Sequence, residues 1–273
     1  MPTDGTSFPK VMQFLHVILT HVAPPQVDEF LTFCDRVTPG IPRLLAYGGP
    51  SENFSLLAHP AKIFLADESL RGPVIRQCLN EILPKVSAYL NSPASPQCEL
   101  VHFSEFDHLI LCRNYFDKLA EIFRQSGCDL IGKTAGPKTH SNWVHYLRYR
   151  EDEPLRNYLA RISKREDKRA LYGMLGNGYT LSRNLVDSIA GLSDLPRVYY
   201  ELLFPTLAHH LGFEVGDLGA FSDIFCHVRW GPAWKLEEVG NMIKRGAVCC
   251  HPFKDLDRLP VVSQWMHPKS AVE

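Results

Sequence analysis

Between residues 14 and 132 the chain alternates short apolar runs with stretches of helical period, and this rhythm narrows the choice of fold more than any other feature. Residues 14–20 (FLHVILT), 42–47 (PRLLAY), 61–66 (AKIFLA), 99–103 (ELVHF) and 129–132 (DLIG) have the length and apolar content of buried strands. Between them, residues 27–37 repeat Phe30, Leu31, Phe33 and Cys34 at helical spacing, and residues 72–89 repeat Val74, Ile75, Cys78, Leu79, Ile82, Leu83 and Val86. A further helix is expected over 115–125, and the NSPASPQ stretch at 91–97 reads as a loop. Strand-helix-strand units of this kind build an α/β fold with a mainly parallel central sheet flanked by helices. Ligands of such sheets bind beyond the carboxyl ends of the strands.

One motif falls at such an end. Glu105-Phe106-Asp107 follows the 99–103 strand, and alternation along extended backbone points both carboxylates to the same side. Carboxylates that close repel one another unless a cation lies between them, and hard divalent ions prefer oxygen ligands. The same spacing also occurs on solvated strand edges, where it binds nothing.

Composition removes several classes of function. The chain is 45% hydrophobic and 22% charged with a formal net charge of −1, which suits a soluble protein and lacks the basic face of a nucleic-acid binder. The apolar stretch 11–22 is interrupted by Gln13, His16, Thr20 and His21 and is too short to span a bilayer, so no integral membrane segment is expected. The eight cysteines have neither zinc-type spacing nor the density of a disulfide scaffold. Reduced thiols and a cytoplasmic location are the expectation.

The second half has a different texture. Residues 148–169 are charge-rich and read as a solvated helix or a mobile excursion. In 172–183 (YGMLGNGYTLSR), Gly173, Gly176 and Gly178 precede an expected helix. They form either a loop that lets backbone approach an anion or an ordinary tight turn. The spacing is not that of a dinucleotide fingerprint. Residues 198–213 predict an amphipathic helix carrying one acid, Glu201. In apolar surroundings that carboxyl would acquire the raised pKa of a general base; alternatively it caps its own first turn. His209 and His210 are expected on the outer face or as hydrogen-bonding core residues. Around Gly231-Pro232, Trp230 and Trp234 offer faces for stacking on sugar rings, with Arg229 and Lys235 as phosphate contacts, or else they pack a loop onto the core.

Taken in order over residues 11–255, these parts resemble a glycosyltransferase of the GT-A fold, similar to the family-2-like inverting enzymes. Asp67-Glu68 and Arg71 follow a strand in the first half, and Glu105-Phe106-Asp107 stands in the place of the DxD metal motif. Gly173 to Gly178 is similar to the acceptor loop. Tyr200-Glu201 through Pro205 resembles the helix of the catalytic base, with Tyr-Glu where the family commonly has Glu-Asp. Cys250-His251-Pro252-Phe253-Lys254-Asp255 resembles the segment whose histidine completes the metal shell.

The resemblance implies a single domain over 1–273, with a nucleotide-binding half at 11–132, an acceptor-binding half at 133–255 and a tail at 256–273. It implies Mn²⁺ or Mg²⁺ on Glu105, Asp107 and His251, and a UDP- or GDP-linked sugar contacted by Thr20, His21, Asp67, Arg71, Glu105 and Phe106. Gly176, Asn177, Gly178, Trp230 and Trp234 would meet the acceptor, and Glu201 would take its proton, giving transfer with inversion. Asp67 and Arg71 also fit a surface ion pair or a helix cap. Two alternatives stand beside this reading. A nucleotidyltransferase would want a glycine-rich, lysine-containing loop after the first strand, which residues 20–25 (THVAPP) lack. A binding protein that keeps the fold without the chemistry would bind sugar nucleotide without turnover.

Overall fold

The computed structural model describes residues 12–66, 79–139 and 141–266. In chain order its elements are β1 (Phe14–Thr20), α1 (Pro24–Val37), β2 (Arg43–Tyr47), α2 (Ser51–Leu56), β3 (Lys62–Phe64), α3 (Ile82–Leu90), β4 (Leu100–Glu105), β5 (Leu109–Ile110), α4 (Tyr115–Ser126) and β6 (Leu130–Pro137). Then follow α5 (Val144–Tyr149), α6 (Glu153–Ile162), β7 (Tyr172–Ser182), α7 (Arg183–Ala190), α8 (Tyr200–His210), β8 (Val215–Asp217), α9 (Leu218–Phe221), α10 (Leu236–Lys244), β9 (Cys249–Cys250) and α11 (Leu259–Met266).

Seven strands form the main sheet in the order β3-β2-β1-β4-β7-β6-β8. The pairs among β3, β2, β1 and β4 are parallel, as is β6 with β8, while β7 runs antiparallel to both of its neighbours. This is the expected α/β architecture, a mostly parallel sheet flanked by helices. Every residue of β1 is buried because the alternating side chains enter two cores. Phe14 and Ile18 pack with α1, α4, α10 and α11, whereas Leu15, Val17 and Leu19 pack with α3, α6, α7 and α8. His16 points to the first core, where its Nε2 lies 2.8 Å from Ser104 Oγ and its Nδ1 has no hydrogen-bond partner among the described residues.

The helix expected over 72–89 is α3 only from Ile82 to Leu90; residues 79–81 precede it without helix, and residues 72–78 lie outside the described residues. Two further elements differ from the sequence reading. The 148–169 stretch contains part of α5 and all of α6, which is not a solvated excursion: Leu155, Tyr158 and Leu159 enter the second core. Its charges occupy the outer face, so composition concealed the apolar stripe. The second difference is β7. The glycine-rich segment read as a loop or turn is an 11-residue strand, and only after it does α7 begin, capped by the Ser182 side chain accepting from the Leu185 amide.

The register explains those glycines. β6 advances from Ile131 to Lys133 while its partner positions on β7 move from Thr180 to Leu175, so residues 176–179 leave the pairing with β6 as a bulge, and of these Tyr179 stays paired with Phe103 of β4. Gly178 has φ +77°, a conformation that favours glycine, and a Cβ there would lie 2.7 Å from Phe225 and 2.8 Å from His108. The bulge lies beside the carboxyl end of β4, where the Glu105 amide donates to Asn177 Oδ1 at 3.2 Å.

Candidate functional site

At the carboxyl ends of β1 and β4 the bulge, the start of α8 and the segment after β9 enclose a cavity of about 220 Å³. Its wall includes Glu105, Asn177, Glu201, Trp230, His251 and Lys254. Chain segments far apart in sequence are brought together here by the sheet.

The first group is acidic. One ligand-type atom from each of Glu105, Asp107 and His251 lies within 4.8 Å of the others, which among the described residues is the one such grouping of acidic, histidine and cysteine side chains. Glu105 is the last residue of β4, and Asp107 follows in the turn before β5. That turn is tied to the returning chain: the Phe253 amide donates to the Asp107 carbonyl at 2.9 Å, and β5 pairs with β9. His251 therefore arrives opposite the acids, with Nε2 at 3.3 Å from Asp107 Oδ1 and 3.9 Å from Glu105 Oε2.

Hydrogen bonding sets the tautomer of His251. Its Nδ1 lies 2.9 Å from the Arg229 carbonyl, which can only accept, so Nδ1 carries a proton. In the neutral ring the Nε2 lone pair then faces two carboxylates. Three converging electron-pair donors of this kind are a fit for a divalent cation with oxygen and imidazole ligands. The Asp107 carboxylate strengthens that fit: it is fully buried, yet neither oxygen has a well-directed hydrogen bond. Its neighbours are the His251 ring and the Lys254 ammonium, which touches Oδ2.

The electrostatics divide the pair. Burial raises the Glu105 carboxyl to about 7, with the Asp107 charge adding to the rise. Glu105 keeps a third of its side-chain exposure, so solvent tempers this effect. For Asp107, burial opposes ionisation, but the adjoining His251 ring and Lys254 ammonium outweigh it, and its pKa lies below the usual value.

The second group surrounds Glu201. It does not cap its own helix: Oε1 accepts from the Gly176 amide at 2.7 Å, while the Tyr200 hydroxyl donates to the Gly176 carbonyl at 3.0 Å. Gly176 is small of necessity, because a Cβ there would lie 2.2 Å from the Tyr200 oxygen and 2.6 Å from Glu201 Oε1. Burial pushes the Glu201 carboxyl up to about 7, partly offset by the Gly176 hydrogen bond and reinforced by Glu105. The helix is buried on nearly every side and so is not amphipathic as expected. The following histidines divide between the two expectations: His210 bonds Ser163 and the Ala170 carbonyl in the interior, and His209 stacks on Tyr172.

No family model matches the chain, and no curated protein matches it in sequence. Solved structures of similar shape include the mannosyltransferase PcManGT from Pyrobaculum calidifontis in complex with GDP-Man and Mn²⁺, with a TM-score of 0.43 and 12% identity over 80% of this chain. This chain spans only 58% of that enzyme. Glucosyl-3-phosphoglycerate synthase from Mycobacterium tuberculosis, in complex with Mn²⁺ and UDP-Glc, has a TM-score of 0.42 and 16% identity over 86% of this chain and 76% of its own. These likenesses are too distant to transfer chemistry from one chain to another.

Of the residues singled out in the sequence, His21, Glu105, Phe106, Gly176, Asn177, Trp230, Glu201 and His251 line one cavity. His21 meets Phe106 edge-on. Thr20 is buried at the end of β1, and Gly178 lies behind the wall. Trp230 is 80% exposed. Trp234 is half-buried, its indole N–H directed to the His227 and His251 carbonyls with the Arg229 guanidinium over its ring, so both serve to anchor the loop. Asp67 and Arg71 lie outside the described residues.

Sequence reasoning missed Tyr199, Tyr200 and Lys254, which also line the cavity. It also missed a buried polar chain behind the acid turn. Thr180 Oγ1 meets His102 Nδ1 at 2.9 Å, and Tyr115 Oη lies 3.1 Å from His102 Nε2 and 3.5 Å from His108 Nε2. Burial keeps His102 and His108 neutral, with His102 lowered to about 3. The two histidines His102 and His108 flanking the acid motif were a usable signal, as was the aromatic pair Tyr199-Tyr200 at the start of α8. Lys254 had none.

Among the described residues, no helix is long and apolar enough to cross a membrane.

Proposed function

We propose that this protein is a metal-dependent glycosyltransferase that moves a sugar from a nucleoside diphosphate to an acceptor hydroxyl with inversion. The observation that carries the reading is the meeting, at one cavity at the strand ends, of a metal-fitting triad, two of whose members line it with Asp107 buried behind them, and a separate buried carboxyl with its pKa near neutrality. A bound Mn²⁺ or Mg²⁺ would supply Lewis-acid neutralisation of the departing diphosphate.

The remaining work falls to the chain itself. Glu105, Asp107 and His251 would hold the ion, and His21 and Phe106, which line the same cavity, would contact the nucleotide. Thr20, at the end of β1, belongs to the same nucleotide-binding half at 11–132. Asp67 and Arg71 extend that half by sequence alone. Glu201, oriented by the Gly176 amide, takes the proton as the acceptor oxygen bonds to the anomeric carbon. The bond from that carbon to the diphosphate oxygen breaks on the opposite face, and the diphosphate leaves with the electron pair. Trp230 offers the acceptor an apolar ring face, and the bulge at Gly176, Asn177 and Gly178 shapes the acceptor side, part of the 133–255 half.

The test is calorimetric titration of UDP and GDP against the full chain, with Mn²⁺ and with chelator, and the same titrations of Glu105→Ala/Asp107→Ala. Manganese-dependent binding of one nucleotide that the double variant loses supports the reading and identifies the donor class. Turnover is then sought with the matching sugar nucleotides. Binding without turnover for any sugar or acceptor would favour a sugar-nucleotide-binding protein, and binding of neither nucleotide would overturn the proposal.

A further inference from the structure

Lys254 sits where a cation is needed, on a tether suited to leaving. Its backbone is fixed, because the preceding Phe253 is fully buried and bonded to the Asp107 carbonyl. Its side chain is not fixed in the same way: it is 58% exposed and lines the cavity, while its ammonium touches Asp107 Oδ2 and lies 5.3 Å from the Phe106 ring centroid. Asp107 at the other end is 0% exposed and has no well-directed hydrogen bond. A buried carboxylate in that state demands a neighbouring positive charge. Lys254 supplies one charge to a site whose geometry, with Glu105 and His251, fits two.

We propose that Lys254 is an exchangeable counter-cation of the acid turn. In the metal-free protein its ammonium neutralises Asp107. When a divalent ion binds Glu105, Asp107 and His251, repulsion between like charges at this distance expels the ammonium. The flexible four-carbon stem then turns it into the cavity that also holds Glu201, where its three donors are available to an anionic ligand. The inference rests on the metal-binding part of the proposed function and not on sugar transfer.

The closing experiment uses Mn²⁺ alone. Mn²⁺ is titrated into the full-length wild type, Lys254→Met and Lys254→Arg, with calorimetry and the electron-paramagnetic signal of free Mn²⁺ as readouts. Removing the competing cation should tighten Mn²⁺ binding about tenfold or more in Lys254→Met, while Lys254→Arg retains wild-type or weaker affinity. Without metal, Lys254→Met should melt below wild type, and saturating Mn²⁺ should raise its midpoint by more than it raises that of the wild type. If Lys254→Met does not fold, Lys254→Gln carries the same expectation.

Unchanged or weaker Mn²⁺ affinity in a folded, charge-removing variant would overturn the exchange, as would the absence of Mn²⁺ binding in all variants. No nucleotide or sugar is present, so a protein that binds metal but transfers no sugar leaves this result standing. A failed exchange likewise leaves the nucleotide titrations to be judged separately.

Discussion

The Glu201 carboxylate accepts its hydrogen bond from the Gly176 amide, 25 residues earlier in the chain and on a different element. A charge at the start of a helix ordinarily serves that helix. Here it is turned toward the bulged strand, and the cavity gains a buried acid at a fixed position.

Replacing that acid tests its role directly. Glu201→Gln keeps the shape and the bond from Gly176, so Mn²⁺ and nucleotide binding should stay within about twofold of wild type. Turnover should fall at least about a hundredfold, the usual scale of general-base loss. The wild-type rate should rise through an apparent pKa of about 7, because only the ionised form of Glu201 can accept a proton. Retained turnover in the glutamine variant would remove Glu201 from the chemistry.

The same carboxyl makes stability depend on pH. Its folded-state pKa, about 7, is above the ordinary 4.5, so the folded chain holds this proton more tightly than the unfolded chain. That contribution is present in full below pH 4.5 and is lost as pH rises through 7. It amounts to at most about 3 kcal/mol. Urea titrations of metal-free wild type and Glu201→Gln should show wild type losing stability relative to the variant from pH 5 to 8. A constant difference across that range would contradict the burial argument.

Gly176→Ala places a methyl group against Tyr200 and Glu201 at once. Overpacking of this kind costs about 1–3 kcal/mol. The larger effect should be on rate, at least about tenfold, because the displaced carboxylate is the proposed base. Thermal melts and single-turnover assays measure the two effects separately, and a variant indistinguishable from wild type in both would show that the contact yields.

Tyr115→Phe removes the hydroxyl between His102 and His108. An unsatisfied buried imidazole nitrogen costs about 1–3 kcal/mol. Since His108 follows Asp107 directly, Mn²⁺ affinity should weaken several-fold as well. A stability loss with unaltered metal affinity would mean that the polar chain supports the fold and not the acid turn.

Trp230→Ala should change stability by less than about 0.5 kcal/mol, since the ring is largely exposed. Nucleotide affinity should be unchanged and the KM for a carbohydrate acceptor raised. An unchanged KM would leave the ring without a part in acceptor binding.

The sequence made the parallel half of the sheet legible for a simple reason. β1 and β4 are buried on both faces, and α1 and α4 on one, so their apolar patterns are nearly unbroken. β7 was not legible, because its glycines imitate a loop and its extended form is imposed by pairing with β4 and β6. The same contrast holds in the site. Glu105 and Asp107 are neighbours in sequence and could be paired on paper. Asn177 with Glu105, Gly176 with Glu201 and Lys254 with Asp107 meet only through the sheet and the β5-β9 pairing, and no local pattern announces them.

The reversed strand also limits where this protein can change. A binding-site loop beyond a strand end can gain or lose residues with little effect on its anchors. The floor of this cavity is instead a bulge inside β7, with paired strand on either side. One residue added or deleted there would shift the register and turn the neighbouring side chains to the opposite core. New ligand preferences can therefore arise by lengthening the rim around Trp230, whereas the floor can vary only by substitution, at constant length.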